Sequence, residues 1–163
     1  MGKSVNRVLA AGVLFAALIP ALVGCSTARA DSELEATLSG LTGVTGAYVW
    51  TSADGFPTNR RLSVRLYVDK NPGAGVEELI EEALRATWDY PAFEPTAGIS
   101  LQTALAERPE SPRRAHGNDL INMRAELRDS SWLDSLQIRV SNSNVHISHE
   151  AMTDRFGEWT GGD

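Results

Sequence analysis

Hydrophobic and polar positions alternate most cleanly between residues 62 and 69. Leu62, Val64, Leu66 and Val68 take every second place, with Ser63, Arg65, Tyr67 and Asp69 between them. A period of two places one set on each face of a strand, so this stretch predicts a strand with one aliphatic face. Asn71-Pro72-Gly73 then turns the chain, each residue suited to a tight reversal. Between residues 76 and 88 the period changes. Val76, Leu79, Ile80, Ala83, Leu84, Thr87 and Trp88 recur at helical spacing, and Glu77, Glu78, Glu81, Glu82 and Arg85 take the opposite face. The short turn keeps the two elements together, so Val64 and Leu66 are expected to lie under this helix.

The same reading extends along the chain. Residues 31–39 predict a short helix, with Ser32 as cap, Leu34, Leu38 and Leu41 as its stripe, and Gly40 and Gly43 as its stop. Residues 44–51 predict a strand. Asp54, Gly55 and Pro57 mark a hairpin loop over 52–59. A third strand is expected over 97–105, followed by a polar linker over 107–117. Residues 118–131 predict a helix capped by Asn118, with Leu120, Met123 and Leu127 inward. Ile121, Met123, Ala125 and Leu127 also alternate, which leaves a strand open there. Residues 136–140 and 145–149 predict a hairpin across Ser141-Asn142-Ser143-Asn144. The tail from Asp154 reads as loose, with Phe156 and Trp159 as the residues that could pin it. The order is α-β-β-α-β, then α-β-β. It implies an α+β fold, with a mixed or antiparallel sheet of about five strands and helices mainly on one face.

The first 25 residues obey a different rule. A basic start (Lys3, Arg7) precedes an apolar run from Val8 to Val23, interrupted by Gly12 and Pro20, and Leu22-Val23-Gly24 leads into the chain's single cysteine, Cys25. The run is shorter than the roughly 20 apolar residues of a membrane-spanning helix and has the layout of a secretory signal. Leu22-Val23-Gly24-Cys25 resembles the lipobox of bacterial prolipoproteins. The resemblance covers residues 1–26. It implies removal of residues 1–24, a diacylglyceryl group on the Cys25 sulfur, and a lipid-anchored protein on the extracytoplasmic face of the cell membrane or envelope. Residues 25–31 would form a tether reaching about 20 Å when extended. Residues 32–150 would form one α+β domain, and 151–163 the tail. With Cys25 lipidated no thiol remains for a disulfide, a metal or catalysis.

Charge narrows the partners. Of the 15 basic residues, Lys3 and Arg7 leave with the signal, so 13 face 21 acidic ones, a balance of −8. Nucleic-acid binding, which needs a basic footprint, is therefore not expected, and neither is a domain lying flat on anionic lipid. The expected partners are the membrane, through the lipid on Cys25, and an envelope protein.

No motif specifies chemistry. The sequence lacks the HExxH, paired CxxC and EF-hand patterns, the Gly-x-Ser-x-Gly elbow and the Ser-x-x-Lys motif. Gly40, Gly43 and Gly46 stand between helix and strand, the reverse of a dinucleotide loop. His146 and His149 are three apart, which puts them on opposite faces of a strand, and His116 falls in the linker. No catalytic residue, metal site or cofactor is assigned. The far face of the first hairpin is the suggestive feature. If Ala47 and Val49 join the aliphatic side, Tyr48 and Trp50 join Arg65 and Tyr67 on the other. That face is either a binding surface or a second core face covered by the C-terminal half. These observations favour a non-catalytic binding or scaffolding lipoprotein. The alternative is a small envelope hydrolase using carboxylates or a histidine.

Overall fold

The computed structural model describes residues 19–111, 119–130 and 138–161, and only the backbone for 19–26. The fold is α+β. Its elements are α1 (Ile19–Ser39), β1 (Val44–Asp54), β2 (Phe56–Val68), α2 (Val76–Trp88), β3 (Ile99–Leu105), α3 (Met123–Glu126), β4 (Arg139–Val140), β5 (Val145–Ile147) and α4 (His149–Phe156). The five strands form one mixed sheet in the order β1-β2-β3-β5-β4. β2 and β3 run parallel because α2 carries the chain back between them; the other pairs are antiparallel.

β2 is the centre of this sheet. It pairs with β1 on one side and β3 on the other, and all seven residues from Leu62 to Val68 are buried. Its even-numbered residues Leu62, Val64, Leu66 and Val68 join one core with Ala47 and Val49 of β1 and Ile99 and Leu101 of β3. Ala30, Leu34 and Leu38 of α1 and Leu79, Ile80, Ala83 and Leu84 of α2 complete it. The α1 stripe recurs every four residues, as a helix packed along one side requires. Tyr90, just beyond α2, ties the two helices together by donating its hydroxyl proton to Asp31 Oδ1 at 2.6 Å. Burial, and after it that bond, pushes the Tyr90 hydroxyl well above the ordinary tyrosine range.

The open edge of β1 is closed by side chains. Val49 N donates to Glu35 Oε1 (3.0 Å), and Arg108 Nε donates to Ala47 O (2.7 Å). Arg108 Nη2 and Glu35 Oε2 pair at 2.9 Å. An unpaired strand edge invites a second strand, and here one ion pair occupies a donor and an acceptor of that edge. Gly46 makes room for it: a Cβ there would lie 2.9 Å from Arg108 Cβ.

Several segments differ from the expectations. Residues 25–31 are helical as part of α1, not an extended tether, and Ala30 is already in the core. The expected 52–59 loop is a tight turn at Gly55 (φ +82°), so β1 and β2 continue as a projecting arm. Asn59 Nδ2 donates to Asp54 O, and Arg61 pairs with Asp54 across the arm. The helix expected over 118–131 shrinks to the four residues of α3. Ile121 N bonds Thr103 O, and Leu120 bridges to Ala104, so this stretch first extends the sheet and then turns, capped by Asn122. The sheet hydrogen bonds thus take the residues before Asn122, while Met123 and Ala125 of the alternating set lie in the helix. Of the 107–117 linker, Arg108 is docked on β1. Helix α4 fills the beginning of the expected loose tail, capped by Ser148 Oγ. Arg155 pairs with Glu81 of α2 at 3.0 Å, and Trp159 Nε1 donates to Tyr90 O, pinning the residues beyond α4. Residues 1–18, His116, the Asn118 cap and Leu136 lie outside the described residues.

Leu66 is fully buried, so Leu66→Ala should cost about 2–5 kcal/mol in urea unfolding; a loss below about 1 kcal/mol would contradict the packing. Glu35→Ala should open the β1 edge and raise self-association in sedimentation velocity. An unchanged monomer fraction would show that the edge needs no cap.

Candidate site on the far face of the sheet

Residue pairing across the sheet makes the odd-numbered side of β2 a lattice. One row runs Tyr48, Arg65, Gln102 over β1, β2 and β3. The next runs Trp50, Ser63, Ser100, His146, Arg139 across all five strands. These residues share a face because paired residues lie on the same side of a sheet and alternate residues along a strand return to it.

The β1 end of the lattice is aromatic. Tyr48 and Trp50 stack with ring centroids 5.3 Å apart and an interplanar angle of 18°. The Arg65 guanidinium lies 5.4 Å from the Trp50 ring centroid, within cation–π range. It is fixed from the other side, where Nε and Nη2 donate to Gln102 Oε1 at 3.0 and 2.8 Å. Arg65 is only 8% exposed, while Tyr48 and Trp50 are half-buried. Tyr48, Trp50, Thr51 and Arg65 line a depression of about 410 Å³. A buried guanidinium held by an amide oxygen stiffens the shelf above it, which lowers the ordering cost of binding a flat apolar ring face.

Tyr67 does not belong to this surface. It is 1% exposed, and it pairs with Gly46, over which the Arg108 side chain lies. The expected four-residue face is thus divided: Tyr48, Trp50 and Arg65 form the shelf, and Tyr67 is buried.

The β4 end of the lattice is cationic, which the sequence reading missed. Arg61, Arg124 and Arg139 meet at a cavity of about 350 Å³ with His146, Ser100 and Asn144 among its lining. Burial, and then the positive charges of Arg61 and Arg139, push the His146 imidazole below the ordinary histidine range. Strand parity could have placed Arg61 on the face of Arg65. The approach of Arg124 and Arg139 depends on tertiary pairing with no sequence signal.

The other histidine stands apart. His149 opens α4, with Nε2 2.6 Å from Glu94 Oε1 and its ring edge-on to Trp88 at 5.3 Å. Among the described residues, no three His, Cys, Asp or Glu side chains gather closely enough to hold a metal ion. None of their helices is long and apolar enough to cross a membrane. No family model, curated protein or solved structure matches the chain.

His146 gives this face a pH signature. Its folded-state pKa lies below the unfolded value of about 6.5. As pH falls through that value, the unfolded chain takes up a proton that the folded chain resists, so stability is lost on acidification and unaffected above it. Between pH 7.5 and 5.5 the urea midpoint should therefore fall more for the wild type than for His146→Gln. Equal falls would remove His146 from the account.

Proposed function

We propose that this chain is a lipid-anchored module of the bacterial cell envelope, which binds through the far face of its sheet and carries out no chemistry of its own. Position is the observation that carries the reading. The only cysteine ends a lipobox-like sequence, and Ala30, the first core residue among the described ones, comes five residues later. At about 1.5 Å per helical residue, a lipid on Cys25 would hold the core within roughly 8 Å of its attachment point. That is closer than an extended tether would allow, and it would leave a module working at the membrane surface.

The Tyr48–Trp50 shelf supports the binding half of the proposal. Aromatic rings kept half-exposed and braced by a buried arginine suit a ligand or envelope protein that offers an apolar ring face. A hydrolase would have to start from a carboxylate–histidine pair such as Glu94–His149. That pair sits at the start of α4 against Trp88, where it helps join α4 to α2.

Cys25→Ala should leave the protein unprocessed or release it from the membrane fraction. A variant that fractionates and migrates on a gel like the wild type would rule out the anchor. Trp50→Ala should keep the anchor and reduce recovery of an envelope partner cross-linked to the intact lipoprotein. Undiminished recovery would exclude the shelf as its contact.

A further inference from the structure

From the cationic end of the lattice we infer a second binding site, for a phosphate monoester or diester, formed by Arg61, Arg124, Arg139 and Asn144. The inference does not rest on the lipid anchor. It starts from an imbalance of charge. The chain is acidic overall, at −6, yet three arginines from β2, the α3 turn and β4 converge on one cavity of about 350 Å³ with no carboxylate among the described residues that line it. Bringing like charges together costs free energy unless a counter-charge is present. Asp54 pairs with Arg61 and supplies one. Arg124 spends one Nη2 proton on Val140 O at 3.1 Å, and a carbonyl offers no net charge.

The donors are arranged to receive an oxyanion. The Arg61 side chain lines the cavity and keeps about a third of its surface exposed, 32%. Ser100 Oγ donates to Asn144 Oδ1 at 2.8 Å, which orients the Asn144 amide so that its NH2 is the group left to donate. Arg139 is exposed on the edge strand β4, where an incoming ligand meets it first. Guanidinium groups match phosphate oxygens in geometry as well as charge. Three guanidinium groups and an amide suit a phosphate's several oxygens better than the two of a carboxylate.

The site shares its face with the aromatic shelf. Trp50 and His146 lie in one row, three strand spacings apart, or about 14 Å. One ligand carrying a ring at one end and a phosphate ester at the other could span both.

The test uses the full chain, first titrated with inorganic phosphate and with glycerol phosphate in calorimetry, at low salt. Saturable binding is expected, and Arg139→Gln, at an exposed position of β4, should weaken it about tenfold or more. The His146 imidazole reports the same event by NMR. An anion offsets Arg61 and Arg139, which face it together with Asp54, so phosphate should raise its titration midpoint. Vesicles of phosphatidylglycerol, against phosphatidylcholine alone, separate the sources. Binding of soluble esters without vesicle binding assigns a soluble or polymeric ester, and binding of both assigns a lipid headgroup. Either result supports the site. It is overturned if neither phosphate nor glycerol phosphate binds saturably, if Arg139→Gln binds as the wild type does, or if vesicles alone bind, which would place the attraction on the general surface.

Discussion

The two-sided burial of β2 is the constraint on which the rest depends. From Leu62 to Val68 every residue is buried, and each backbone amide has a neighbouring strand on one side or the other. Its even residues are held by α1 and α2. Its odd residues carry the polar lattice. A slip of one residue would exchange the two sets, placing Arg65 among Leu34, Leu38 and Ile80. The register is therefore fixed by the core, and the far face inherits its geometry from it.

That inheritance explains how aromatic and cationic ends come to share one surface. The shelf needs Tyr48 opposite Arg65 and Gln102 beyond it. The arginine cavity needs Ser100 opposite His146 and Arg139 beyond that. Both sets of neighbours arise from the pairings of β2 and β3. Glu35 and Arg108 hold the outer strand of the shelf in place from its free edge, so a residue of α1 and a residue past β3 both serve the site without lining it.

Much of the core was legible in the sequence because its signal is local. The alternation of Leu62 to Val68 and the 3.6-residue spacing of Val76 to Trp88 each arise within one element, and α2 has the expected bounds. The face of Tyr48, Trp50 and Arg65 was legible for the same reason. What was hidden depends on distant partners. Gly55 permits a turn far tighter than the clustered Asp54, Gly55 and Pro57 suggest. The helix expected around Leu120 lost its start to a bridge with Ala104, a residue 16 positions earlier. Tyr67 shares the parity of Arg65, which left its face open as either a binding surface or a covered core face, and in the fold it is buried. Arg124 and Arg139 have no common sequence pattern; the order β3-β5-β4 brings Arg139 to Arg61, and Arg124 of α3 reaches the same cavity, where it bonds Val140 O.

Native-state hydrogen exchange tests the role of β2 most directly. If β2 is the spine that fixes both ends of the far face, the amides of residues 62–68 should be the slowest in the protein and should exchange only through global unfolding, with the free energy found in urea titration. Exchange of these amides by local opening, while those of α1 and α2 stay protected, would show that the sheet yields independently of its core and would contradict the account.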